Sequence, residues 1–503
     1  MLEVRNLTIK IGNNRILIKN LSFTLNAGDK IAVIGEEGNG KSTLFAAITN
    51  RRQVEEYASI SGSVVFPNEK IGFLKQSLDD FWFDKKIEEY FIDYEDYEIY
   101  KMFNRLQIPA ELLYSGQLIG TLSGGEKIKI QLAKVLLDQP TILLLDEPSN
   151  DLDIDMIGWL ENFIKKAKEA ILFISHDIEL LRNCAKGILQ LEQLKKKTEP
   201  VWNFAMKIYD EYVVLRQEKI NKQNQVAAMQ RDKDAKRQER WQQIYNRVDH
   251  EQATISRQDP HGGRLLKKKM KAVKSQEIRF ERERENFLDF IDPEEAINIK
   301  FENKVVPKSK IVIDKNFDKI SVAGKTLLKN INIKIVGPEK VVIIGKNGIG
   351  KSTLLKAIFN YLVSESKLKV GYMPQNYNDI FDEFVTVRDF LKENTSSKEE
   401  LSFVMTMLGS LKFTEEEMNG TIDSLSGGLK AKLFLAKIMA EKPDVLILDE
   451  PTRNLSPLSS PVLQNAIKSF GGTVISISHD RNYIKNVATK ILELTKDGLF
   501  VIN

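Results

Sequence analysis

Apolar residues follow two rhythms along this chain. In the first, short runs that are apolar at every position end abruptly in glycine or acids. Examples are "IAVIGEEGNGKSTL" from Ile31, "TILLLDEP" ending at Pro148, "VVIIGKNGIGKSTL" from Val341 and "DVLILDEP" ending at Pro451. Such runs predict strands buried on both faces of a parallel sheet. The opening "MLEVRNLTIKIG" alternates with the two-residue period of a half-buried strand. In the second rhythm, Trp202 to His250 contains no Gly or Pro and is rich in Lys, Arg, Gln and Glu, which predicts one long helix. "QDPHGG" (Gln258–Gly263) then breaks the chain, and "RLLKKKMKAVKSQEIRFERERENFLDF" predicts a return helix. At ~1.5 Å rise per residue, the ascending arm would extend on the order of 65 Å.

The first rhythm occurs twice. "LSGGE" at Leu122–Glu126 recurs as "LSGGL" at Leu425–Leu429, "LDEP" at Leu145–Pro148 as "LDEP" at Leu448–Pro451, and "ISHD" at Ile174–Asp177 as "ISHD" at Ile477–Asp480. Order and spacing are kept, so the halves are copies of one α/β domain. The expected division is 1–192, a helical hairpin linker over 193–304 with a basic tip, and 305–503.

Composition narrows the class. With 42% apolar and 29% charged residues, the chain can bury large cores, and its net charge of +4 excludes a uniformly basic nucleic-acid binder. The single cysteine, Cys184, excludes an intrachain disulfide and suits a reducing, cytoplasmic setting. No window approaches ~20 uninterrupted apolar residues, and the N-terminus lacks a signal peptide's order of charge and hydrophobicity, so no membrane association is expected.

The repeated motifs carry phosphate chemistry. Gly35, Gly38, Gly40, Lys41, Ser42 and Thr43 form one glycine-rich loop leading into a helix, and Gly345, Gly348, Gly350, Lys351, Ser352 and Thr353 form the other. Such loops close backbone N–H groups around phosphates while the lysine reaches the β- and γ-phosphates. Ser42 and Ser352 would ligate Mg²⁺ together with Asp146 and Asp449, delivered by the apolar strands. Glu147 and Glu450 would orient the attacking water, a positioning role that phosphoryl transfer needs. Gln76 and Gln375 would sense the metal and the γ-phosphate, and His176 and His479 each end a strand beside them.

The set resembles the nucleotide-binding domains of ATP-binding cassette proteins, in both halves, most specifically in the LSGG signature. The resemblance implies two tandem ATP-binding-cassette domains joined by a long α-helical hairpin linker, and two ATP molecules sandwiched head to tail within one monomeric chain. Each ATP would lie between one phosphate loop and the other domain's turn, made by Ser123, Gly124 and Gly125 or by Ser426, Gly427 and Gly428. The two sites are expected to differ. Glu36 and Glu37 stand where the second loop has Lys346 and Asn347, Leu429 where the first turn has Glu126, and Ser456 where the first copy has Asp153. All these departures fall on the site containing Lys41, and acids beside a polyphosphate raise the cost of binding it. Both sites are expected to bind ATP and one to turn over faster. The aromatic that stacks on adenine in this family is replaced by Ile11 in the first half, with Phe317 its candidate in the second.

Around the break, Arg257, Arg264, Lys267, Lys268, Lys269, Lys271 and Lys274 form a basic cluster suited to a phosphate backbone. Paired cassettes with a long charged linker resemble the ABC-F proteins. The short first cassette, the long linker with "RQDPHGGRLLKKKM" (Arg257–Met270) and the "PTRNLSP" variant (Pro451–Pro457) resemble their antibiotic-resistance branch of the Lsa and Vga kind. This implies a protein that docks at the tRNA exit site of the bacterial ribosome, contacting 23S rRNA and peptidyl-tRNA. It would protect translation from lincosamides, pleuromutilins and streptogramin A. A housekeeping translation factor of the same family and the ATPase subunit of a membrane exporter are the alternatives.

Overall fold

The computed structural model describes residues 1–12, 15–255, 259–293, 297–301, 306–322, 325–381, 384–393, 395 and 397–502. By contacts the chain divides into one unit of Met1–Tyr209 with Glu294–Asn503, and another of Asp210–Pro293.

The strands of the first half are β1 (Leu2–Ile11), β2 (Arg15–Leu25), β3 (Lys30–Ile34), β4 (Ala58–Val65), β5 (Ile71–Leu74), β6 (Ile142–Asp146), β7 (Ala170–Ile174), β8 (Gly187–Gln193) and β9 (Glu199–Ala205). Among the described residues, six of them form a sheet in the order β5-β6-β7-β3-β8-β9, parallel except for the β8–β9 pair, while β2-β1-β4 form a separate antiparallel sheet. The uniformly apolar strands β3, β6 and β7 are buried at every position, as two-sided burial requires. The alternating β1 packs one face into the cluster containing Leu44, Phe45 and Leu144.

The second half repeats this with β10 (Ile311–Val322), β11 (Lys325–Val336), β12 (Lys340–Ile344), β13 (Val370–Met373), β14 (Val445–Asp449), β15 (Thr473–Ile477), β16 (Lys490–Thr495) and β17 (Gly498–Ile502). Its sheet order, β13-β14-β15-β12-β16-β17, matches the first position for position, and β10–β11 form an antiparallel ribbon. Cys184 is buried against the Glu161 carbonyl, and burial pushes its thiol up to about 12, so it is an inert core residue.

The helical expectation fails at one end of the linker. Trp202–Ala205, expected to begin the long helix, belong to β9, which pairs with β8, and the Trp202 indole donates to the Lys19 carbonyl (3.2 Å). An edge strand could take this aromatic segment, and tertiary pairing overrode its helical propensity. The long helix therefore starts at Tyr209.

The second unit is a helical hairpin, Tyr209–Thr254 followed by Pro260–Arg284. Leu266, Met270 and Val273 bury the facing stripe of the return helix, and Trp241 donates its indole N–H to the Val273 carbonyl (2.9 Å). Asp234 pairs with Arg237 (2.8 Å) and Arg284 (2.9 Å), tying the two arms. Of the expected break at Gln258–Gly263, Gln258 lies outside the described residues and Pro260–Gly263 are helical. Asp259 caps the return helix by accepting from the Gly262 N–H (2.9 Å), with Pro260 at the first helical position. Pro260 to Gly263 are thus the helix's first turn.

Candidate nucleotide sites

In each half three motifs meet because their strands are adjacent and parallel. β7 lies between β3 and β6, so the loops leaving their C-terminal ends converge. These loops carry Gly35–Ser42, Asp146–Glu147 and His176. β12, β15 and β14 do the same for Gly345–Ser352, Asp449–Glu450 and His479. Gly35 has φ +151°, and a side chain there would collide with the Leu191 carbonyl, so only glycine allows the loop to turn. Lys41 opens helix α1 (Lys41–Thr49), and its ammonium donates to the carbonyls of Gly35 (2.8 Å) and Glu36 (3.1 Å). Lys351 does likewise with Gly345 (2.8 Å) and Lys346 (2.9 Å). Ser42 donates to Asp146 (3.3 Å), whose carboxyl burial pushes up to about 6. Glu147 and Glu450 both sit at positive φ (49° and 51°), strain that is held where each backbone N–H donates to the end of the next strand.

Around Lys351 the two cassettes face each other across a cavity of about 490 Å³. Lys351, Ser352, Gln375, Glu450 and His479 line one side, and Gly124 of the first signature turn lines the other. Asn347 donates to the Asp151 carbonyl (2.7 Å) and Arg453 pairs with the Asp151 carboxylate (2.9 Å), joining the halves at the rim. Burial pushes Glu450 up to about 8 and His479 down to about 4, and raises Asp449. Asp449 Oδ1, Glu450 Oε1 and both ring nitrogens of His479 are buried without hydrogen-bond partners.

The site around Lys41 is bridged by side-chain bonds between the cassettes instead. His176 Nε2 contacts Glu147 (2.9 Å) while its Nδ1 donates across the interface to the Leu455 carbonyl (2.6 Å). Burial disfavours both charges, yet their mutual attraction prevails: Glu147 is lowered and His176 raised. Two departures of this site, Glu36 and Ser456, are in direct contact. Glu36 reaches the second cassette, where its carboxylate accepts from Ser456 (2.6 Å) and Ser459 and pairs with Lys432 (3.1 Å). Burial works against its ionisation, but Lys432 and the two hydroxyls hold Glu36 down at about 2. Glu37 accepts from the backbone N–H of Gly428 in the signature turn.

Gln375 therefore joins its expected partners at the cavity; Gln76, like Gln375, is exposed. Ser123 and Ser426 cap their signature helices, but only Ser123 shares a capping box with an acid, Glu126. Lys432 and Ser459 escaped sequence reasoning. Each lies far along the chain from Glu36 and looks like an ordinary helix residue. Phe317 sets its ring edge against Tyr361 (6.3 Å) and packs on the second core. On the hairpin, Arg264, Lys267, Lys268, Lys269, Lys271 and Lys274 are all exposed, and Arg257 lies outside the described residues. No described helix is long and apolar enough to cross a membrane.

The family described as ABC transporter matches residues 18–150 and 328–453, which contain both phosphate loops and both signature turns. The chain is 30% identical to the ATP-binding protein Uup of Buchnera aphidicola subsp. Schizaphis graminum, over 99% of this chain and 81% of that protein. It is 27% identical to the ribosome protection protein VmlR of Bacillus subtilis, over 97% of this chain and 85% of that protein. Among solved structures, the crystal structure of the archaeal ribosomal stalk protein aP1 with the ribosome recycling factor aABCE1 aligns with 99% of this chain and 90% of its own. The TM-score is 0.59 at 16% identity, a likeness of fold.

Proposed function

The chain belongs to the ATP-binding cassette family and is an ATPase, and from that premise we propose that it is an ABC-F protein. It uses ATP to act on the bacterial ribosome and to protect translation from lincosamides, pleuromutilins and streptogramin A. The observation that carries the ribosome reading is the hairpin's run of exposed cations from Arg264 to Lys274. Such a run suits rRNA or tRNA phosphates. The ribosome protection named for VmlR supports it. The protein would dock at the tRNA exit site and direct the hairpin at peptidyl-tRNA, displacing the drug indirectly.

At the second site, Mg²⁺ fits the residues present. Ser352, Gln375 and Asp449 converge there, and buried oxygens of Asp449 and Glu450 have no protein partner. Ser352, Asp449 and Gln375 would hold the ion, which neutralises phosphate charge when bound. Lys351 and the loop N–H groups would bind the phosphates, the Ser123–Gly125 turn would close from the other cassette, and Glu450, flanked by His479, would take the proton of the attacking water. Gly35–Ser42 would bind a second nucleotide, with Asp146, Ser42 and Gln76 as its metal ligands.

Susceptibility to the three drug classes, on deleting and restoring the gene, tests the reading. Loss of resistance on deletion supports protection. Unchanged susceptibility together with ribosome co-sedimentation would instead favour a housekeeping translation factor. Co-purification with a membrane subunit and no ribosomes would refute both.

A further inference from the structure

We propose that the first composite site is selective for nucleoside diphosphates, because the carboxylate of Glu37 occupies the place of a terminal phosphate on the Gly428 turn. The inference deepens the reading of Gly35–Ser42 as a phosphate loop and rests on it.

Three contacts carry it. Gly428 presents a backbone N–H at the start of a helix (Gly427–Glu441), where an anion is favoured, and that donor is bonded to the Glu37 carboxylate. In the second site the corresponding loop residue, Asn347, turns to the Asp151 carbonyl instead, and Gly124, the counterpart of Gly427, lines the cavity. The acid is also anchored. Its neighbour Glu36 is fixed by Lys432, Ser456 and Ser459, so the loop cannot swing aside without stranding a buried lysine that is 4% exposed. Finally, His176 bonds across to Leu455 and closes the same interface.

The sequence departures fit this arrangement. An aspartate in place of Ser456 would set a second carboxylate against Glu36, whereas the serine hydroxyl donates to it. A glutamate in place of Leu429 would compete for the turn's N–H groups, as Glu126 bonds the Ser123 N–H in the first copy. With leucine there, the second signature helix has no acid of its own in its first turn, and Glu37 supplies the charge from the other cassette. The loop's own cradle remains: glycines at positive φ, Lys41, and Ser42 beside Asp146. Two phosphates thus keep their donors, while a third meets the Glu37 carboxylate and a donor already taken.

Equilibrium binding of labelled ADP and of the non-hydrolysable triphosphate AMP-PNP to the purified full chain, with Mg²⁺, tests this. The expected parent stoichiometry is two ADP but one AMP-PNP. Lys351→Ala should abolish AMP-PNP binding and keep one ADP; Lys41→Ala should lose one ADP and keep the AMP-PNP. Glu37→Gln, and separately Glu37→Asn, should raise AMP-PNP towards two. Two AMP-PNP per parent chain, one of them lost in Lys41→Ala, would overturn the proposal. So would variants that still bind two ADP but only one AMP-PNP. Failure of Lys41→Ala to remove any nucleotide would instead refute the phosphate-loop reading beneath it.

Discussion

At the residue scale, Glu36 and Glu450 show one side chain type driven in opposite directions by its partners. Glu36 is as buried as Glu450 but has a cation and two hydroxyl donors, so it stays ionised down to about 2; Glu450 has no cation in contact and is raised to about 8. Replacing Glu36 by Gln strands the buried Lys432 ammonium and should cost about 3–5 kcal/mol of stability. A depressed carboxyl pKa gives stability that is fully present above the unfolded value and is lost as pH falls through the folded one. The gap between parent and Glu36→Gln, measured by denaturant unfolding, should therefore be constant above about pH 5 and shrink as pH falls towards 2. A gap that is unchanged across that window would mean that Glu36 is not held by charge. For catalysis, Glu450→Gln should lower steady-state ATPase about 100-fold or more, by loss of the proton acceptor. Glu147→Gln should lower it less, because Glu147 is already bonded to His176. A larger loss from Glu147→Gln in the same assay would reverse the assignment of the faster site.

At the element scale, the hairpin's two helices separate stability from charge. The stripe of Leu266, Met270 and Val273 holds the return helix, while the cations between those positions are exposed. Changing Lys267, Lys268, Lys269 and Lys271 to Gln keeps helix propensity and should leave unfolding unaffected. Ribosome affinity should fall and its logarithmic salt dependence should flatten, as fewer counterions are released. An unaltered salt slope would remove these lysines from the interface. Asp259→Ala is a different perturbation: it removes the return helix's cap, at about 1 kcal/mol. Faster amide exchange confined to the first turn, Pro260 to Gly263, should report it, and exchange that accelerated throughout both arms would show that the cap holds more than one turn.

At the scale of the whole molecule, the two cassettes are tied by contacts of unequal kinds. Glu36, Glu37 and His176 bond one site across the interface, Arg481 reaches Glu161 and Asp177 near the centre, and the other site faces a cavity. If the bonds at the first site persist, ATP-dependent closure would fall to the second site under the proposed mechanism. Glu450→Gln alone should then hold the protein on ribosomes in ATP-containing gradients as fully as the Glu147→Gln/Glu450→Gln double variant. Trapping that needs both substitutions would show two working sites.

The sequence by itself determined the repeated α/β halves, the converging loops and the identity of each motif, because those depend on local pattern. Fully apolar strands must be buried on both faces, and glycine is required where a carbonyl leaves no room for a side chain. It also pointed to the site of Lys41 as the altered one. What only the tertiary structure decided was the meaning of the alteration. Glu36 meets Lys432, Ser456 and Ser459 across an interface between distant parts of the chain, and no periodicity links such positions. The structure also decided that Trp202–Ala205 pair as an edge strand and that Pro260–Gly263 wind into a helix. Edge pairing depends on a neighbouring strand, and the helical turn on the Asp259 cap. In the first case a partner outside the local window outweighed the propensity within it; in the second the adjacent Asp259 outweighed the glycines.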